Sequence, residues 1–276
     1  MAARVLTSRR PSRSEASPAA PRARSGVLDS WGARWISPVA IVILWQVASA
    51  TGLLSAETLA APSDILAKAW KLTTDGQLPD ALAVSLRRAA IGFVAGVVAA
   101  VVFGTLAGLS RLGDALVDPP MQMVRTLPLF GLVPLFIIWF GIGETPKVTL
   151  VAVGVVIPLY LNLIAALRAI DRELYDVAQV FRLSRWERIR DVMIPGAMPG
   201  ALVGLRQSLG VAWLALIVAE QVNAGSGLGY LINNARDFNQ TDVVVVGLLA
   251  YAVLGLITDA VVRLMEKRAL RWRDAT

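Results

Sequence analysis

Val148–Leu167 reads VTLVAVGVVIPLYLNLIAAL, twenty residues without a charge. As a helix this stretch rises about 30 Å, the thickness of the hydrocarbon core of a bilayer. It lacks the polar and apolar alternation of a barrel strand, and lipid tolerates no unpaired backbone, so a helix is the reading that works. Working outward, five more runs of this kind appear: Trp35–Leu54, Ala89–Leu109, Pro119–Gly143, Pro199–Val222 and Val243–Met265. Arg87 and Arg88 stand at the entrance of the second run, Arg125 lies inside the third, and Arg206 and Glu220 lie inside the fifth. The sixth turns polar only near its end, at Asp259 and Arg263. With 56% hydrophobic and 17% charged residues and a mean hydropathy of +0.61, the composition is that of an integral membrane protein. The expected fold is all-α, with six transmembrane helices.

Several kinds of chemistry are excluded by what the chain lacks. It has no cysteine and no histidine, which removes thiol nucleophiles, histidine triads and the usual zinc and haem ligands. A phosphate-binding loop needs a lysine after glycine, and none of Lys68, Lys71, Lys147 and Lys267 follows one. No metal, cofactor or enzymatic role is therefore expected of this chain. Intramembrane carboxylate pairs of the kind that mark an ion-coupled carrier are also missing, which makes such a carrier the less favoured transport reading. The net charge of +7 reflects arginines that hold loops on one side of a membrane rather than a nucleic-acid surface.

Residues 1–34 carry seven arginines among prolines, alanines and serines, the composition of a disordered basic tail. Six spans place both termini on one side, and a cytoplasmic N-terminus collects 19 of the 27 basic residues on that side. This orientation puts the charged loop 171–198 in the cytoplasm. On the outside, Pro62–Leu78 has helical spacing with Ser63 or Asp64 as cap, and is expected to lie at the interface. The glycine- and asparagine-rich loop Asn223–Asp242 is long enough to dock an external partner, although a plain surface excursion fits it equally well.

Charges inside spans are costly, about 3 kcal/mol each on insertion scales, so each invites a functional reading. Arg206, Trp213 and Glu220 are spaced by sevens and share one face of span five with Gly210, since a helix drifts only about 20° per heptad. They either line a pathway or reach interfacial water from the two ends of the span. Arg125 and Asn162 pose the same choice between substrate contact and hydrogen bonding between helices.

The charged loop contains DVAQVFRLSRWERIRDVMIP, Asp176–Pro195. Its spacing resembles the cytoplasmic signature of ABC importer permeases, Glu-Ala-Ala, three residues, Gly, nine residues, Ile, any residue, Leu-Pro. Asp176, Val177 and Ala178 take the opening positions, Arg182 the glycine position, Val192 the isoleucine position and Ile194-Pro195 the closing pair. The segments IPGAMPGALVGLRQSLGVAWLALIVAE, GSGLGYLINNARDFNQTDVVVV and VRTLPLFGLVPLFIIWFGIGETPK look like the branch of that family that imports aliphatic sulfonates, taurine and nitrate, and the likeness extends over residues 35–273. The resemblance implies a permease domain in the bacterial inner membrane that works as a homodimer, with cytoplasmic ATPase subunits holding ATP and Mg and an external substrate-binding protein. Aliphatic sulfonates are the first expectation for the substrate, with taurine or nitrate as alternatives. It also implies that Asp176, Val177, Ala178, Phe181, Arg182, Leu183, Ser184 and Pro195 couple the chain to the ATPase. Arginine in place of the turn glycine raises the question of whether the bend survives there.

Overall fold

The computed structural model describes residues 33–55, 57–222 and 224–270. The tail expected over residues 1–34 thus lies outside the described residues, except for the two positions that open the first helix. Eleven α-helices are present among the described residues. They are α1 (Ala33–Ala50), α2 (Pro62–Thr74), α3 (Gln77–Leu109), α4 (Arg111–Thr126), α5 (Leu132–Phe140) and α6 (Glu144–Arg168). Then come α7 (Arg172–Val180), α8 (Arg185–Arg188), α9 (Ile194–Gln221), α10 (Leu228–Asp237) and α11 (Thr241–Ala269). A 3₁₀ turn at Leu129–Gly131 precedes α5, and a π turn at Ile189–Met193 joins α8 to α9. The described residues up to Trp45 belong to one unit and those from Gln46 onward to a second; the architecture that follows is that of the second.

Its core is a bundle of α3, α6 and α9. Gly92, Gly96, Ala100 and Gly104 recur every fourth residue along α3, and all are buried. A methyl group built at Gly92 would sit 2.6 Å from Val151 Cβ, and one at Gly96 would sit 2.6 Å from Val155 Cβ. Small residues let the backbones of α3 and α6 approach closely, as helix pairs in lipid do where dispersion must replace a hydrophobic driving force. Leu150, Val151 and Val155 of α6 and Leu216 of α9 are wholly enclosed as a result.

The six expected spans resolve differently. Among the described residues four helical runs are long and apolar enough to cross a membrane, Gln77–Leu109, Glu144–Arg168, Arg185–Gln221 and Thr241–Ala269, and a bent pair makes a fifth if it is one span. The third expected span is not one helix, because α4 and the segment Leu129–Phe140 meet at 88°. Pro128 explains the break: it pushes Leu127 into extended backbone (φ −73°, ψ 135°) and supplies no N–H to continue α4. The first expected span is shorter than its apolar run, with the apolar helix covering Ile36–Ala50. The second begins twelve residues earlier than expected, at Gln77, and carries Arg87 and Arg88 within the helix rather than at its mouth.

Two further expectations shift. α2 forms as predicted, but its N-cap is Ala61, which makes no side-chain cap; Pro62 at the first helical position starts the helix instead. The segment Asn223–Asp242 is more than a loop. It contains α10, whose Leu228, Gly229, Ile232 and Ala235 are buried, and which packs on α9, α11 and α3.

Candidate functional site

The bundle has two ends of different chemistry. α3 and α9 run in opposite senses, so Ser85 and Arg88 near the start of α3 meet Glu220 in the last turn of α9. At the other end, Leu109 of α3, Leu167 of α6 and the π turn come together.

Glu220 is wholly buried and accepts hydrogen bonds from four donors. These are Ser85 Oγ at 2.8 Å, Arg88 Nη1 at 2.7 Å, Tyr251 Oη at 2.7 Å and the Gly229 N–H at 2.9 Å. Arg88, 1% exposed, also donates through Nε and Nη2 to the two oxygens of Glu144, each at 2.6 Å, and through Nη1 to the Ser226 carbonyl at 2.7 Å. Ser85 Oγ in turn accepts from the Leu228 N–H at 2.9 Å. One cluster thus ties α3, α6, α9, α10 and α11 together. A bidentate arginine and a carboxylate with filled lone pairs meet the condition under which a buried ion pair is tolerated. Gly227 makes the approach possible: its φ is +100°, and a side chain there would meet Arg88 Nη1 and Glu220 Oε1, each at 2.6 Å.

The other residues expected along the pathway fall into separate settings. Trp213 is buried, donates to Thr258 Oγ1 at 3.0 Å and stacks edge-on with Tyr251, their ring centroids 6.4 Å apart. Arg206 is half-exposed and donates to Asp259 Oδ1 at 2.9 Å, while Arg263 holds the other oxygen of Asp259 at 2.7 Å. Gly210 faces open space. Asn162 bonds the Pro158 carbonyl at 2.8 Å and Gln207 Oε1 at 2.9 Å, linking α6 to α9. Arg125 is exposed, with Gln122 as its neighbour at 3.5 Å. The heptad spacing on α9 is real, yet Trp213 and Glu220 face other helices while Arg206 and Gly210 remain accessible.

Asp171 caps α7 by accepting from the Glu173 N–H at 3.0 Å. Val177, Val180 and Phe181 are 52%, 80% and 74% exposed, whereas Ala178 is 1% exposed and packs inward. α7 ends in a left-handed residue, and that residue is Arg182, at φ +52°. The Leu183 N–H bonds the Ala178 carbonyl at 2.9 Å and the Arg182 N–H bonds the Gln179 carbonyl at 2.9 Å. These are the paired bonds of a Schellman cap, so the bend exists with arginine where glycine was expected. Ser184 then opens α8 with a reciprocal capping box to Glu187. Pro195 does not turn the chain; it sits in the first turn of α9, within one helical run from Arg185 to Gln221. The wide π turn ahead of it accommodates the missing proline N–H.

These features are those of a helical membrane protein: a close-packed bundle, charges neutralised within it, and an amphipathic helix with an exposed apolar face beyond the spans. The chain belongs to the family of binding-protein-dependent transport system inner membrane components, whose sequence model matches residues 92–271. It is 45% identical to SsuC of Escherichia coli (strain K12), a protein named for aliphatic sulfonate transport, over 88% of this chain and 92% of that one. It is 40% identical to SsuC of Bacillus subtilis (strain 168) over 89% of each. A solved chain from an amino acid ABC transporter shares the fold at a TM-score of 0.61 and 17% identity, covering 72% of this chain and 96% of that one. The chain is thus a membrane component of an importer and not an enzyme, as its sequence indicated.

Proposed function

We propose that this chain, as a homodimer in the bacterial inner membrane, forms the pathway by which a small organic anion, first of all an aliphatic sulfonate, enters the cell. ATP and Mg are held by cytoplasmic ATPase subunits, and an external binding protein delivers the substrate. The observation that carries the coupling is the apolar face of α7: Val177, Val180 and Phe181 project from a capped, rigid helix that has no partner for them among the described residues. Asp176, Arg182, Leu183 and Ser184 flank this face and set its angle to α8, and Pro195 begins the helix that carries the motion onward. Ala178 contributes as the inward anchor of α7.

The orientation rests on the arginine count, with both termini and α7 inside and the Glu220 cluster outside. In this reading the accessible residues Arg125, Asn162, Arg206 and Gly210 face the pathway, and Trp213 and Glu220 fix the helix that presents them. The sulfonate assignment is supported by the names of the 45% and 40% identical relatives.

The test is ATP hydrolysis by the reconstituted permease, ATPase and binding protein, with an alkanesulfonate, taurine and nitrate supplied in turn. Strongest stimulation by the alkanesulfonate is expected, and stimulation by nitrate alone overturns the assignment. Loss of ATPase co-purification on deleting residues 176–184 is expected, and retention overturns the coupling role of α7.

A further inference from the structure

Beside α7, on the side away from its apolar face, two cavities adjoin. The deeper is a groove of about 290 Å³ between α3, α6 and the π turn with the start of α9. Its walls include Val101 and Leu109, Leu163 and Leu167, and Met193 and Ala197, and they are almost wholly apolar. The outer cavity, about 580 Å³, shares Leu109, Ile189 and Met193 with the groove and is lined further by Tyr175, Arg185 and Arg188. No carboxylate belongs to that lining among the described residues. Neither arginine forms an ion pair among the described residues, and Arg188 Nε is enclosed without a hydrogen-bond partner. Nearby acids are engaged elsewhere: Glu187 accepts from the Ser184 N–H at 2.7 Å, and Asp191 lies 3.6 Å from Arg190.

We infer that this composite groove binds one anionic phospholipid, with its phosphate between Arg185 and Arg188 beside the Tyr175 hydroxyl and an acyl chain in the slot below. The depth is suitable, because α3, α6 and the Arg185–Gln221 run all have their ends here, at the level where a bilayer changes from headgroup to hydrocarbon. From Leu109 to Val101 the slot follows about 12 Å of helix, enough for the upper half of an acyl chain. A basic pocket above an apolar cleft between spanning helices has the chemistry that selects lipids by headgroup charge. The inference does not depend on the transported substrate or on which leaflet the site faces. It uses the opposite side of α7 from the face proposed to meet the ATPase.

Native mass spectrometry of the full chain with its ATPase, in detergent supplemented with one lipid at a time, tests this. Palmitoyl-oleoyl phosphatidylglycerol is expected to be retained at one copy per chain, and the phosphatidylcholine of the same chains at least about tenfold less. The double variant R185Q/R188Q should lower phosphatidylglycerol to the phosphatidylcholine level, whereas R190Q, outside the lining, should leave it unchanged. If the double variant does not fold, R188Q alone, read in the same way, decides. Equal retention of the two lipids, or full retention by the arginine variants, overturns the inference. So does displacement by sn-glycerol 3-phosphate at equal concentration, which would reduce the site to a phosphate contact, or loss of the lipid when the ATPase binds, which would make the arginines a protein contact.

Discussion

At one end of the α3, α6 and α9 bundle, Glu220 is buried with four hydrogen-bond donors around it; at the other, Phe181 leaves 74% of its surface open. The first end carries charge yet is internally complete, because every carboxylate oxygen there meets a donor supplied by another helix. The second presents an apolar face among its charges and is incomplete there, although caps at Asp171, Arg182 and Ser184 hold its backbone in a fixed shape. The contrast shows where each region takes its stability from. Polar groups bond inward where the protein closes on itself, and apolar groups stay outward where it awaits another surface.

Breaking the closed end should produce the largest effect. Glu220→Ala leaves Ser85, Tyr251 and the Gly229 N–H without their acceptor and takes one of its two carboxylates from Arg88; it is expected to cost about 3–5 kcal/mol, read as a fall in the thermal midpoint of the purified chain. In a double-mutant cycle with Arg88→Ala the two losses should fall well short of adding, whereas additive losses would mean that the pair does not act as a unit. At the open end, Phe181→Glu should leave the thermal midpoint nearly unchanged while weakening ATPase association by about 2 kcal/mol, measured as a dissociation constant in detergent. Gly227→Ala sharpens the first case, since a positive φ and two 2.6 Å approaches should together cost about 2 kcal/mol without removing any charge. Arg182→Gly is the mildest change. It relieves a left-handed arginine and should stabilise α7 by up to about 1 kcal/mol, detected as slower amide exchange at Leu183.

Much of the fold could be read from uncharged runs, because a bilayer imposes helix length directly on sequence. On the rule that charge ends a span, Arg87 and Arg88 mark its mouth, yet α3 runs through both. That rule fails when a charge has a partner, and Glu220 lies 132 residues away in the chain. Composition likewise suggested a loop at 223–242, although Leu228, Ile232 and Ala235 already stood at helical spacing. The break at Leu127–Pro128 was open to the restriction that proline places on its predecessor. The heptad interval on α9 places Arg206, Trp213 and Glu220 along one helix, but no interval within one helix can tell whether solvent or another helix faces each of them. The second left-handed residue, Asn239 at φ +54°, closes α10 with the same paired bonds that Arg182 makes for α7, the Gln240 N–H reaching the Ala235 carbonyl at 2.8 Å. Its asparagine tolerates that backbone far more readily than an arginine does.

The π turn at Ile189–Met193 amounts to one residue inserted into an otherwise α-helical rod. Each residue of an α-helix turns the chain by about 100°, so this insertion sets the compass bearing of α8 and everything before it relative to α9. Deleting a single residue there would leave the rod continuous but swing Arg185, Trp186 and the approach to α7 about a quarter turn around the axis. Those five residues therefore act as an angular index, fixing which way the exposed end faces without altering the packing of the bundle that carries it.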